Sequence, residues 1–395
     1  MNGPHAMAQP KVAIVHPRLA FGGSEAVALW AVESLKDRFD VTLITGGPVD
    51  LERLNEYYGT RIAAAEIRIL RAPIPVGLQD TARFSGLRGA FFQRYCREVA
   101  PKFDLMINTY GPSDFGVQGI QCIADFAFVQ EWRNTLHPEL ASYRRWWYGD
   151  SPLRHAYLGL CLAIYRQDSG VWRRNLTLAN SHWTARLLEE KFGVQSQVVY
   201  PPVPSNCADV PWEQRESGFV CVGRVVPEKR VDTTVAILSR VRRQGHDVHV
   251  HILGGVDDSP FGRKVKQLAA ENSDWVFLEG WVAGRRKHEM IAAHRFGIHG
   301  RVNEPFGIAV AEMIKAGCVT FVHDSGGQTE IVNDAALRFK SEEDAVQKID
   351  AVLSNRALED GLRRQIAESA RRFSVQAFVD SIREVVESRV AKRAS

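Results

Sequence analysis

Short apolar runs alternate along this chain with stretches whose apolar residues recur at helical spacing. Lys11 to His16, Val41 to Thr45 and Leu105 to Asn108 read as strands, with helices over Ser24 to Leu35 and Ala90 to Val99 between them. The pattern restarts after Tyr200-Pro-Pro-Val-Pro204, with strands at Phe219 to Val222, Val248 to Leu253, Val276 to Leu278, Phe296 to His299 and Val319 to Val322. Such alternation predicts right-handed βαβ units and parallel sheets, hence an α/β chain of two doubly wound, Rossmann-like domains facing each other across a cleft. The proline cluster is stiff and cannot continue a helix, which makes 201–204 the linker between a domain over 11–200 and one over 205–374. Ligands of such folds collect outside the carboxyl ends of the strands, so the cleft is the expected site.

The segment Asn303-Glu304-Pro305-Phe306-Gly307-Ile308-Ala-Val-Ala-Glu312 places two carboxylates eight residues apart across the start of a helix. Pro305 suits a first helical position and Gly317 a stop, so Glu304 is expected in the loop and Glu312 about two turns inside. Free N–H groups around Phe306, Gly307 and Ile308 would then offer partial positive charge to a phosphate. In the same domain the strand Phe219 to Val222 runs into Gly223-Arg224-Val-Val-Pro-Glu-Lys229-Arg230 and a helix over Val231 to Arg243. Arg224 and Lys229 at a strand's carboxyl end suit a diphosphate, through charge-assisted hydrogen bonds where negative charge grows on a leaving group.

Glycines frame two further loops. Gly22-Gly23 follows the first strand and opens a helix, so its backbone can approach a donor closely; lacking G-x-G-x-x-G spacing, it speaks against a dinucleotide oxidoreductase. Gly326-Gly327 reads equally as a donor contact or as a tight turn. His323 ends a strand beside the expected site and is the better histidine candidate for a donor contact. His249 and His251 alternate on a strand, but with no third ligand near them in sequence they read as packed or hydrated rather than metal-bound.

Composition narrows the class. With 395 residues, 45% hydrophobic and 24% charged, the chain has the make-up of a globular protein with two cores. A net charge of +4 and the lack of any RNA or DNA motif exclude a nucleic-acid partner. Six scattered cysteines without C-x-x-C or metal-ligand spacing fit reduced thiols in a cytoplasmic protein. Residues 1–10 read as a cloning remnant before the first strand, and no apolar run reaches the roughly 20 residues that span a bilayer.

Glu304-Pro-Phe-Gly with Glu312 resembles the signature of retaining family 4 glycosyltransferases of the GT-B fold. The likeness continues through Phe21-Gly22-Gly23-Ser24-Glu25, Leu178-Ala-Asn-Ser181, Gly223-Arg224 with Pro227-Glu228-Lys229, and Ser325-Gly326-Gly327 with Glu330-Ile-Val. The resemblance implies a nucleotide-sugar donor as co-substrate, with Arg224 and Lys229 holding the diphosphate and Gly22 and Gly23 forming the N-terminal donor loop. It also implies a C-terminal helix, here 375–395, crossing back to the first domain. No Asp-x-Asp pair stands in either cleft loop, which agrees with a reaction needing no metal. Where related enzymes carry a histidine in the first domain, this chain reads Ile120-Gln-Cys-Ile-Ala124-Asp125-Phe126, leaving Asp125 as the candidate for part of that role.

The wording His299-Gly-Arg-Val-Asn303-Glu304 and His323-Asp-Ser-Gly-Gly327 is similar to the α-1,2-mannosyltransferases that extend lipid-linked oligosaccharides, which implies GDP-mannose and a saccharide or lipid-linked saccharide acceptor. Between Trp132 and Arg174, aromatic rings interleave with arginines, a pattern suited to an anionic membrane surface, so peripheral attachment to the inner face of the membrane is expected alongside a packed helical insert. The function expected is therefore retaining transfer of a hexose, foremost mannose. The alternatives are a nucleotide-sugar epimerase or hydrolase on the same fold, and a non-catalytic glycan-binding protein.

Overall fold

The computed structural model describes residues 9–79, 84–126, 129, 152–165, 174–204 and 210–394. Its first sheet holds seven parallel strands: β1 (Lys11–Val15), β2 (Asp40–Thr45), β3 (Arg68–Arg71), β4 (Leu105–Asn108), β5 (Ile120–Ile123), β6 (Leu176–Ala179) and β7 (Ser196–Val198), in the order β3-β2-β1-β4-β5-β6-β7. The second sheet holds six: β8 (Glu216–Val222), β9 (Val250–Leu253), β10 (Val276–Gly280), β11 (His294–His299), β12 (Val319–His323) and β13 (Arg338–Phe339), in the order β10-β9-β8-β11-β12-β13. Both orders reverse beside the first strand of the sheet, and the crevice at such a switch point is where doubly wound sheets bind ligands.

Helices cover the sheets: α1 (Gly23–Leu35), α2 (Leu51–Tyr58), α3 (Ser85–Val99), α4 (Pro152–Tyr165), α5 (His182–Phe192), α6 (Val231–Arg243), α7 (Pro260–Glu271), α8 (Gly284–Ala292), α9 (Ile308–Lys315), α10 (Gln328–Ile331), α11 (Glu342–Leu353), α12 (Arg356–Ala370) and α13 (Val375–Ala394). The central strands are near-continuous apolar runs because helices bury both of their faces, while the edge strands β3 and β7 are more polar and more open. Phe219, Phe296 and Phe321 form one aromatic row through the second core. Cutting such a ring to alanine costs about 3–5 kcal/mol.

The last helix does not belong to the domain it follows. Phe378, Ile382, Val385 and Val386 of α13 lie in the core around α1, and Arg383 Nε donates to Ser34 O at 2.7 Å. The chain thus passes between the domains at Pro201–Pro204 and again after Phe373, and the two crossings touch. Tyr200 meets Phe373 edge-on at 5.1 Å, while Phe306 packs 5.7 Å from Tyr200 and 5.6 Å from Phe373.

Four cysteines of the described residues are shown by the same packing to be inert. Cys96, Cys221 and Cys318 are buried, Cys122 is partly so, and burial pushes the Cys122 and Cys221 thiols up to about 12. Of the insert read as aromatic and basic, Trp132, Trp146, Trp147, Tyr148 and Trp172 lie outside the described residues. Within α4, Leu160 and Leu162 are 51% and 52% exposed, and Tyr157 turns inward to accept from Leu87 N. No helix of the described residues is long and apolar enough to cross a membrane.

Candidate active site

The cleft is built around Glu304. Asn303, just before it, sits in the left-handed region at φ 54° and donates its backbone N–H to Ser325 Oγ, while Gly327 N–H donates to Glu304 O at 2.8 Å. Those bonds aim the Glu304 side chain back at the carboxyl end of β11. Lys229 Nζ donates to Oε2 at 2.6 Å, and His299 Nε2 lies 3.1 Å from the same oxygen. Arg301 Nη1 reaches both oxygens, at 3.2 and 3.3 Å. Glu304 is only 7% exposed. Burial alone would raise its carboxyl, but Lys229, Arg301 and His299 outweigh that and hold it well below the usual carboxylate range. Burial lowers the Lys229 ammonium and the His299 imidazole, and the neighbouring cations add to both.

Two cationic side chains therefore share one carboxylate, an excess of positive charge that Arg224, exposed in the loop after β8, increases. Oε1 receives one bond only and keeps lone pairs for a hydroxyl donor. Arg301 Nε is buried and has no protein partner. The cluster can neutralise an anion and orient a hydroxyl at one point.

Backbone dipoles reinforce it. Helix α9 begins at Ile308, not at Pro305, because Gly307 turns to φ 102° and only there does the backbone enter the helix. Its unshared amides belong to Ile308, Ala309 and Val310. Phe306 is 2% exposed and its ring serves the packing of the two chain crossings, so its backbone N–H is what it has to offer a donor. Glu312 stands in the second turn, one residue past the first, not two turns in. Helix α1 also lacks a side-chain cap, and a Cβ on Gly23 would come within 2.8 Å of Ile308 Cδ1. The amino ends of α1 and α9 thus face each other across the cleft, and both favour negative charge. Tyr58 fixes the α1 loop, its hydroxyl accepting from Gly22 N at 2.8 Å and lying 2.9 Å from Ala20 O.

The remaining candidates divide. Glu312 is buried, and Lys287 Nζ donates to its Oε1 at 2.6 Å. Asp125 is exposed just past β5, and its charge, with that of Glu25, raises the Tyr110 phenol after burial does, against Arg88 and Arg224. His323 is bonded through Nδ1 to Ser325 Oγ at 2.8 Å and lines a separate cavity of about 400 Å³ with Arg230, Thr233, Phe339 and Lys340. Of the two readings of Gly326-Gly327, the close-packed turn accounts for the glycines. A Cβ on Gly326 would lie 2.3 Å from Glu304 O, and one on Gly327 would lie 2.0 Å from Pro305 O.

Several residues of the cleft escaped the sequence reading. His16, at the end of β1, is 1% exposed with neither ring nitrogen bonded, and burial pushes it down to about 4. A histidine directly after an apolar strand and before proline was the available signal. Tyr57 stacks on Trp281 across the cleft, with centroids 5.8 Å apart and planes at 10°. Ser181 caps α5 and donates to Pro305 O at 2.6 Å, and the Glu330 carboxylate accepts from His182 N and Trp183 N at the amino end of that helix. The likeness quoted for Leu178-Ala-Asn-Ser181 and for Glu330 thus has a geometric cause: the two motifs join the domains.

Two facing Rossmann-like domains with a cationic cleft and opposed helix ends define the GT-B architecture. Residues 207–373, which include most of the second domain, match the family of glycosyl transferases group 1. The whole chain superposes on Anabaena Alr3699/HepE, solved in complex with UDP and glucose, with a TM-score of 0.68 and 14% identity over 96% of this chain and 100% of that one. It is 23% identical over 415 residues to the human alpha-1,3/1,6-mannosyltransferase ALG2, covering 95% of each chain. A GDP-Man:Man(3)GlcNAc(2)-PP-Dol alpha-1,2-mannosyltransferase of Dictyostelium discoideum is 23% identical over 227 residues, 51% of this chain and 45% of that one. The chain spans about half the length of the alpha-1,2-mannosyltransferases it matches.

Proposed function

We propose that the protein is a retaining glycosyltransferase that moves mannose from GDP-mannose to a saccharide carried on a lipid. The observation that carries the reading is the meeting of Lys229, Arg301 and Glu304 with the uncapped amino ends of α1 and α9 at one cleft. Arg224, Lys229 and the amides of Ile308, Ala309 and Val310 hold the diphosphate. Glu304 orients the sugar hydroxyls through Oε1, and Glu312, fixed by Lys287, takes the ribose. Asp125 lies on the acceptor side with Tyr110.

In the transfer the bond from the sugar's anomeric carbon to the β-phosphate oxygen breaks, and a bond to the acceptor oxygen forms on the same face. The acceptor's proton passes to the departing phosphate, so the protein needs no separate base. Its task is to stabilise the charge growing on that phosphate, and fixed cations and helix amides do this without reorganising. The choice of mannose rests on the names of the relatives. The lipid acceptor has the added support of the exposed leucines on α4 and the basic and aromatic wording of 132–174, which fit contact with anionic lipid.

Incubation with GDP-mannose, UDP-glucose or UDP-N-acetylglucosamine and a lipid-linked saccharide tests the proposal. Release of GDP only when acceptor is present supports it. Equal turnover without acceptor would identify a hydrolase, and no donor binding by calorimetry would leave a scaffold protein. Sedimentation with anionic vesicles, weakening as salt rises, tests the membrane contact separately.

A further inference from the structure

At the amino ends of β8, β9 and β11, opposite the cleft, four side chains converge that the transfer reaction does not use. Glu216, His249, His251 and His294 each offer one ligand atom, and these atoms all lie within 4.8 Å of one another. His249 and His251 do share a face, but they are not alone: the parallel pairing of β8 with β11 sets Glu216 opposite His294, and that of β8 with β9 sets Val220 opposite His251. The imidazole centroids form a triangle with sides of 5.3, 5.5 and 4.8 Å.

Two of the three rings are oriented in the way metal ligands are. His294 is 2% exposed; its Nδ1 lies 2.6 Å from Met290 O, which fixes the proton on that nitrogen and leaves Nε2, bonded to nothing in the protein, with its lone pair. His251 Nδ1 lies 2.6 Å from Glu279 Oε1, the carboxylate–histidine arrangement that orients ligating imidazoles. His249 Nε2 is buried without a hydrogen bond, although Glu216 Oε2 stands 3.1 Å away: the two atoms are near each other but not aligned as donor and acceptor. Room for the His249 ring is made by Gly218, where a Cβ would fall 2.2 Å from Nε2. Ligands at about 2.0–2.1 Å from a tetrahedral ion stand about 3.3 Å apart, so four atoms already within 4.8 Å of one another have only a short way to close around one ion.

We propose that Glu216, His249, His251 and His294 form a closed binding site for a divalent transition-metal ion of the zinc type. Three nitrogens and one carboxylate fill a tetrahedral shell and leave no position for substrate, so the ion ties the three central strands together rather than taking part in chemistry. Oxygen-preferring magnesium is poorly matched to three imidazoles. Glu216, half-exposed, gives the ion its way in.

The test uses the full chain, stripped with a chelator and dialysed. Zinc should bind with one equivalent per chain at micromolar affinity or tighter and raise the melting temperature by several degrees, while magnesium should not. Cobalt should give the visible absorption of a tetrahedral centre. His249→Gln with His251→Gln, both on partly exposed positions, should fold without metal as the wild type does and lose at least tenfold in zinc affinity. Glu216→Gln should lose tenfold and keep the fold, so the outcome does not depend on the buried His294. Absence of stoichiometric zinc binding, binding unchanged in both variants, or an equal shift with magnesium would overturn the assignment.

Discussion

The two ends of the second sheet each hold a glutamate among histidines, and they are opposite in electrostatic character. At the carboxyl ends Glu304 is outnumbered by Lys229 and Arg301, and it is held ionised with cationic capacity to spare. At the amino ends Glu216 faces three imidazoles whose lone pairs are exposed to a common point and whose protons, where fixed, point away. One cluster is deficient in negative charge and receives an anion; the other presents electron pairs and receives a cation. Residue type alone does not separate them. The distinction lies in the tautomer and in the arginine and lysine that only one cluster has.

The largest effect expected from breaking this contrast is at the cationic end. Lys229→Ala or Arg224→Ala should lower turnover by about two to three orders of magnitude, the loss typical of one preorganised donor to developing charge, as measured by nucleotide release with saturating donor. Near-normal transfer in the double variant would remove both from the leaving-group role.

Exchanging the carboxylates separates sugar from nucleotide. Glu304→Gln should retain GDP affinity within about threefold and lose roughly one to two orders of magnitude in turnover, whereas Glu312→Ala should weaken GDP itself by about tenfold, since one charge-assisted hydrogen bond is worth about 1.5–3 kcal/mol. Equal losses of GDP affinity in calorimetry would show the pair to be misassigned.

A third expectation concerns pH. Because the Glu304 carboxyl is depressed in the folded chain, its stabilising contribution is fully present above the ordinary glutamate range, about 4.3, and is lost as pH falls through the lower folded value. Melting curves between neutral pH and the acid limit should therefore fall less steeply for Glu304→Gln than for the wild type. A parallel pair of curves would mean that the ion cluster does not contribute.

The smallest effect sharpens the separation of the two ends. Zinc that raises the melting temperature should change GDP affinity by less than about twofold, since the ion and the donor occupy opposite ends of the strands. A larger coupling, read by calorimetry with and without zinc, would mean that β11 transmits between them.

The alternation of strands and helices was legible because buried parallel strands are apolar throughout, and helix Val231–Arg243 was read with both of its ends. The beginning of β8 was not. Glu216 extends β8 beyond its apolar core and fell outside the strand read from Phe219, whereas His294 opens the run His294 to Gly300 that reads as a strand. Their meeting with His249 and His251 follows from register between strands far apart in the chain, which no local pattern carries. At the cleft, Arg224, Lys229, Glu304 and Glu312 stood out by their spacing. Arg301, His299 and Lys287 were missed as partners because ion pairing is a property of the folded loops. The start of α9 was misplaced because Pro305 is a good opening residue, and only the positive φ of Gly307 delays the helix.

The double passage of the chain between the domains has a mechanical consequence. Bodies joined by one flexible connection can turn in any direction, but two connections fixed side by side leave a single axis. Tyr200, Phe306 and Phe373 pack the two crossings against one another, and Lys315 Nζ ties them further, reaching the carbonyls of Val203 and Phe373. Opening the cleft is then the swing of a door. Pro305, bonded to Ser181 near the jamb, should move little, and Glu304 beside it should keep its place relative to the first domain. Trp281 and Tyr57, which meet through their rings, should part the most. Labels placed on those two sides should report a wide, one-dimensional spread of distances that donor narrows, while labels flanking Ser181 and Pro305 stay still.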